Sequence, residues 1–186
     1  GPYARIFGRL LWPSGVSVAC IYSPHGGSLH SDAKSRGGRE YFAAERLFER
    51  MTDAFVFVSQ FEADTYAAKV GGPRKPATVV RNGLRPEEFE PVLAEPDARD
   101  FLFIGELRDL KGPDVFIAAL ALIRDRTGTA PSAVIVGSGE AKPRYEAMVL
   151  DLNLSASVVF RDRMTARQAF ALTRAVAMPS RAESMP

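Results

Sequence analysis

Only one cysteine, Cys20, occurs in the chain, so no internal disulfide can form, and this usage points to a reducing compartment. Histidine is almost as scarce. His25, His30 and Asp32 are the sole conceivable metal set, no spaced ligand cluster stands behind them, and no metal is expected. No apolar run is long enough to span a bilayer and no signal-peptide pattern is present, so a cytoplasmic protein is expected. An excess of one charge is also missing: the formal net charge is +2. Through Val92 there are 12 Lys/Arg against 10 Asp/Glu, and beyond it 12 against 12, so neither half is basic enough for a nucleic-acid partner. There is no nucleophile dyad, cysteine cluster or Asp-x-Asp pair either. What remains is an ordinary globular composition, 46% hydrophobic and 25% charged, on a chain long for one small domain and short for two.

Apolar stretches and turn residues alternate along that chain. Residues 3–11 (YARIFGRLL) put Ile6, Phe7, Leu10 and Leu11 on one face, a short amphipathic helix that could also lie on a lipid surface. The runs VSVACIY (16–22), AFVFVS (54–59) and residues 78–80 read as strands, with helices predicted over 38–51 and from Ser59, whose S-x-x-E spacing to Glu62 is a capping box. Residues 85–100, rich in Pro and acids and without a period, read as a linker. Beyond it come predicted strands at 101–105, 132–137 and 157–160 and a buried one, AVAM, at 175–178. Between them lie a helix opened by Pro113 and ended at Gly128, one running to about Leu152, and one capped by Thr165 and Gln168. Such alternation implies α/β architecture: two Rossmann-like parallel-sheet units with helices on both faces.

Open parallel sheets bind ligands beyond the carboxyl ends of their strands, so the loops there carry the functional signal. GELRDLKG (105–112) sets Arg108 and Lys111 beside a glycine and ahead of a helix start, a combination suited to a diphosphate. A solvated basic loop explains the same residues. VGSGE holds Gly137 and Gly139, but Lys142 stands where a dinucleotide fingerprint has its third glycine, and a tight turn needs only the two. PHGG (24–27) presents His25 at a strand end, where a solvated or structural histidine is the plainer alternative. The last such loop, after the strand expected at 175–178, carries the acid Glu183.

Taken in order, the stretches YSPHGG, FVFVSQFEADTY, VVRNGLRPEEF, FLFIGELRDLKGPDVFIAAL, AVIVGSGE and MPSRAESMP resemble the family-4 retaining glycosyltransferases of the two-Rossmann-domain (GT-B) type, most of all bacterial members that build surface polysaccharide or lipid-linked saccharide. The resemblance implies that 1–84 is the C-terminal part of an acceptor-binding domain, 85–100 the linker, and 101–186 a truncated donor-binding domain. Both units are then expected to be incomplete, and the piece by itself inactive. It implies that Lys111 neutralises the donor diphosphate near Gly105. It also implies that Gly137, Ser138 and Gly139 form the turn beside the nucleotide and that Arg161 and Asp162 lie where backbone contacts the base. Glu183 would orient the donor sugar, with Ser184 and Met185 near the phosphates, and His25 would reach the sugar from the acceptor side. Two departures stand out. Glu106 occupies a position commonly Arg in the family, leaving Arg108 as the candidate substitute, and Asp162 stands where Gly is frequent.

The implied reaction moves a glycosyl group from a nucleotide sugar to a saccharide or lipid-linked acceptor with retention, needing no cofactor beyond the donor. The implied setting is cytoplasmic, with peripheral association at the inner face of the membrane. Two alternatives stay open: an NAD-dependent enzyme that modifies nucleotide sugars, and a non-catalytic nucleotide-binding fragment. The missing third glycine, and the lack of an acid placed to hold a ribose, count against the first.

Overall fold

The computed structural model describes residues 19–24, 29 and 32–183; His25, His30, Ser184, Met185, the 3–11 helix and the start of the first strand fall outside them. The chain divides into two compact units, Gly1–Gly83 with Glu183–Pro186, and Leu84–Ala182.

The first unit holds a parallel sheet in the order β1 (Ile21–Tyr22), β2 (Ala54–Phe57), β3 (Ala77–Val79). Helix α1 (Arg36–Phe48) is capped by the Ser35 hydroxyl, and α2 (Gln60–Lys69) by that of Ser59, which accepts from the Glu62 amide at 3.1 Å. The Glu62 carboxylate turns back to accept from the Val58 amide at 3.0 Å, one residue earlier than a reciprocal box would require. Aromatic rings dominate the core: Phe55 lies 5.8 Å from Tyr22, 6.0 Å from Phe57 and 5.4 Å from Tyr66.

The second unit is a four-stranded parallel sheet in the order β6-β5-β4-β7, with β4 Arg99–Ile104, β5 Ala133–Val136, β6 Val158–Arg161 and β7 Thr173–Val176. Three of its helices are α3 (Pro113–Thr127), α4 (Lys142–Asp151) and α5 (Ala166–Ala171). All four residues of β5 are buried, and alternate ones serve different cores. Ala133 and Ile135 pack with Phe116, Ile117 and Leu120 of α3 and Tyr145 and Val149 of α4; Val134 and Val136 pack with Ala169 of α5. That is why the run AVIV shows no polar alternation: both faces of the strand are covered.

Two elements differ from the sequence-based expectation. The expected buried strand at 175–178 is instead Thr173–Val176, an edge strand paired to β4 alone, with Arg174, Ala175 and Val176 exposed. Its position is set by the β4 ladder, Phe101 opposite Ala175 and Leu102 opposite Val176, rather than by its own apolar residues. Residues 85–100, read as a linker without a period, carry local structure, and the strand expected from 101 starts inside them. Pro86–Phe89 form a 3-10 turn, Arg167 donates to the carbonyls of Glu87 (3.0 Å) and Glu90 (2.8 Å), and β4 already begins at Arg99.

Candidate functional site

The chain lays down β4, β5 and β6 side by side and then returns to place β7 on the other flank of β4. This reversal brings the loops after β4 and β7 together at the carboxyl ends of the strands, where α/β sheets hold ligands.

The loop after β4 sits against the loop after β5. Gly105 donates to the Val136 carbonyl at 3.0 Å and Leu107 to that of Ser138 at 2.9 Å. The approach is so close that a Cβ on Gly137 would fall on the Gly105 carbonyl oxygen, and one on Gly139 would lie 2.5 Å from the Leu107 oxygen. Glycine is required at both positions by this contact between backbones. Beside it opens a cavity of about 430 Å³ lined by Ile104, Gly105, Glu106, Val136, Gly137, Ser138, Gly139, Arg163 and Met164. Four residues expected from the sequence, Gly105, Gly137, Ser138 and Gly139, therefore share one hollow.

Lys111 closes the 3-10 turn Asp109–Lys111, and its Cγ lies 3.9 Å from the point where Gly105 would carry a Cβ. That turn is anchored from two sides. The Asp109 carboxylate accepts from Arg144 and from the buried Tyr145 hydroxyl (2.8 Å), and these hydrogen bonds, Arg144 foremost, hold its pKa below the ordinary carboxylate value. From the β7 side, Arg181 donates through its amide to Leu110 (2.8 Å) and through its guanidinium to the Asp109 carbonyl (2.5 Å). The same guanidinium grips Asp114 with two bonds, at 2.9 and 2.6 Å. Between these contacts Gly112 adopts φ +71°, and a Cβ there would strike the Pro179 carbonyl, so the two loops meet backbone to backbone again.

Asp114 lies in the first turn of α3, and its pKa is lowered, chiefly by the Arg181 hydrogen bonds. A carboxylate depressed in this way stabilises the loop contact fully above its unfolded pKa, and the contribution fades as pH falls below it. Arg181→Ala is accordingly expected to speed hydrogen exchange across 177–182 and at Gly112 at neutral pH. Wild type is expected to approach the same rates, once corrected for intrinsic exchange, only in acid. Equal exchange in the two proteins at neutral pH would show that the fork does not hold the loop.

The remaining expected residues are placed differently. Arg108 Nε lies 3.0 Å from Glu106 Oε2, so the candidate substitute for the missing arginine is paired with the acid that stands in its place. The Arg161 carbonyl accepts from the Gly137 amide at 3.1 Å, and Asp162 pairs with Lys142 at 3.3 Å. Neither lines the cavity; Arg163 and Met164, just beyond, do. Nothing in the local sequence marks Arg163, although β6 ending at Arg161 carries the chain over the cavity immediately afterwards. Glu183 follows Arg181 by two residues. Among the described residues no cluster of three or more His, Cys, Asp or Glu able to hold a metal occurs, and no helix is long and apolar enough to cross a membrane.

Residues 85–186, the stretch that carries this cavity, match the family Glycosyl transferases group 1. The chain belongs to the group 1 glycosyltransferases. Residues 1–88 match Glycosyltransferase Family 4. A D-inositol 3-phosphate glycosyltransferase of Jonesia denitrificans is 36% identical over 98 residues, covering 48% of this chain and 23% of that protein. Among solved glycosyltransferase structures, Anabaena HepE in complex with UDP-glucose superposes with a TM-score of 0.78 at 19% identity, over 98% of this chain and 52% of that one. A variant of S. aureus TarM in complex with UDP, fondaparinux and α-GlcNAc-glycerol gives 0.72 at 13% identity, over 90% of this chain and 33% of that one. The chain thus spans about a quarter of the curated relative and between a third and a half of these structures. At such identities the structural likeness establishes the fold, which is that of GT-B glycosyltransferases.

Proposed function

We propose that the protein is a retaining glycosyltransferase that moves a sugar from a nucleoside-diphosphate sugar to a saccharide or lipid-linked acceptor, and that the cavity beyond β4 and β5 receives the nucleotide. One observation carries the reading: the bare backbones of Gly105, Gly137 and Gly139 line a hollow, and the stem of Lys111 passes beside Gly105. HepE and TarM, which share the fold, are described in complexes with UDP, and this supports a nucleoside diphosphate as the ligand class.

In the reaction the bond from the anomeric carbon to the diphosphate breaks, the leaving group carries the electron pair away, and an acceptor hydroxyl oxygen forms the new bond as its proton passes to the departing diphosphate. Negative charge builds on the departing diphosphate. A fixed ammonium beside it lowers the barrier, because it needs no reorganisation as that charge develops. Lys111 takes this part, on a turn held by Asp109 and Arg181. Glu183 orients the donor sugar and His25 reaches it from the acceptor side; Gly137, Ser138 and Gly139 lie along the nucleotide, near the backbone at Arg161 and Asp162. Ser184 and Met185 offer amides to the phosphates. The chemistry asks for no metal or further cofactor. Peripheral membrane association through residues 3–12 fits a lipid-linked acceptor.

Thermal denaturation of the full-length protein with UDP, GDP or NAD tests the ligand class. A nucleoside diphosphate is expected to raise Tm, by about 2.7 kcal/mol of stabilisation at a hundredfold excess over Kd, and NAD to leave it unchanged. Stabilisation by NAD alone would favour a dehydrogenase or epimerase instead. The anomeric configuration of the product, read by NMR, decides retention.

A further inference from the structure

We propose that Arg163 is the second cation of the donor site, the part that sequence reasoning gave to Arg108; the proposal rests on the nucleotide-sugar reading of the cavity.

The described lining of that cavity contains two ionisable side chains, Glu106 and Arg163. A diphosphate carries at least two negative charges, and Glu106 at the wall is matched only by its own partner, Arg108. Lys111 alone leaves such an arrangement short of positive charge. Arg108 offsets little, because its Nε lies 3.0 Å from the Glu106 carboxylate and the pair is neutral as a unit. Arg163 differs. Among the described residues its guanidinium has no hydrogen-bond or ion-pair partner.

Its neighbours make that distinction sharper. In the loop from β6 to α5, Asp162 binds Lys142 at 3.3 Å, and the Thr165 hydroxyl and the Gln168 side chain close the cap of α5. Met164 packs against the core that contains Ala169. Arg163 is the loop's remaining polar side chain, and it has no such structural task. An exposed guanidinium keeps its water until a ligand arrives, so it costs the empty protein nothing. Its planar fork matches phosphate oxygens two at a time, which an ammonium cannot do. The cavity thus pairs a cation that binds nothing else with glycine backbones that leave room for a phosphate.

Isothermal titration of the full-length protein with UDP, UMP and uridine tests the assignment. Arg163→Ala is expected to weaken UDP by roughly 10- to 100-fold, the scale of a lost charge-assisted hydrogen bond. The effect on uridine is expected to be slight, and the loss of UDP affinity larger than that caused by removing the neutral pair in the Glu106→Gln/Arg108→Gln double variant. Arg163→Lys is expected to recover part of the affinity. Glu106→Arg is expected to strengthen UDP more in the Arg163→Ala background than in wild type, because the added cation then takes the place that Arg163 has left, a coupling that a purely structural role would not produce. Circular dichroism of each variant controls for folding, with Arg163→Gln as the second variant. If Arg163→Ala binds UDP like wild type, weakens uridine as much as UDP, or loses less than Glu106→Gln/Arg108→Gln, the assignment falls. If wild type itself binds no nucleoside diphosphate, the nucleotide-sugar reading is what fails.

Discussion

Lys111→Ala in the full-length enzyme is expected to raise the barrier to glycosyl transfer by roughly 2–4 kcal/mol, a fall of about 30- to 1000-fold in kcat. The size follows from what the side chain meets and when. In the ground state the diphosphate is bonded to the sugar and its charge is shared with solvent and backbone amides. At the transition state the bond is breaking and more charge gathers on the bridging oxygen, so a cation fixed nearby stabilises that state more than the substrate. The turn that carries Lys111 is tied to α4 through Asp109 and to the β7 loop through Arg181, so the backbone that bears the side chain is fixed before substrate arrives. The loss should therefore appear mainly in kcat, with KM changing less. Steady-state kinetics with a panel of nucleotide sugars measures both, and unchanged kinetics would remove Lys111 from the site.

Gly137→Ala is expected to destabilise the second unit by about 3 kcal/mol, the upper end for overpacking. At roughly 4–8 °C per kcal/mol for a unit of this size, its Tm falls by about 12–24 °C. The added methyl meets the carbonyl of Gly105, which is backbone and cannot swing aside as a flexible side chain can. Relief requires the 105–107 loop to move off the 137–139 loop, breaking the Gly105–Val136 and Leu107–Ser138 hydrogen bonds of 3.0 and 2.9 Å. The floor of the cavity then separates, so nucleotide affinity should fall with stability. Calorimetry of the variant with and without UDP reads both effects. A Tm within about a degree of wild type would mean that the two loops do not meet so closely in solution.

Much of the fold was legible because it is written locally. The run AVIV at 133–136 is apolar on both faces because helices cover both. Ser59 and Thr165 announced their helices, since capping reaches only three residues along the chain. Pro113 and Gly128 bracket α3 for equally local reasons. Where the sequence-based expectation failed, a distant partner decides the outcome. The register of β7 is imposed by β4, more than seventy residues earlier. The stretch after Arg85 is ordered by Arg167, whose bond to Glu87 spans 80 positions. The site divides in the same way. Glycines and a lysine at strand ends carry a pattern, whereas the pairing of Arg108 with Glu106 and the approach of Arg163 to the cavity depend on how the loops close.

The sheet's reversal at β4 also limits how this protein can be re-engineered. Gly112 and Pro179 touch through bare backbone, and Arg181 reaches Asp109 and Asp114. A loop transplanted from a relative at 177–183 would arrive without its matching half unless 105–114 came with it. The two segments form one exchangeable cassette, and any library that varies one of them has to vary the other.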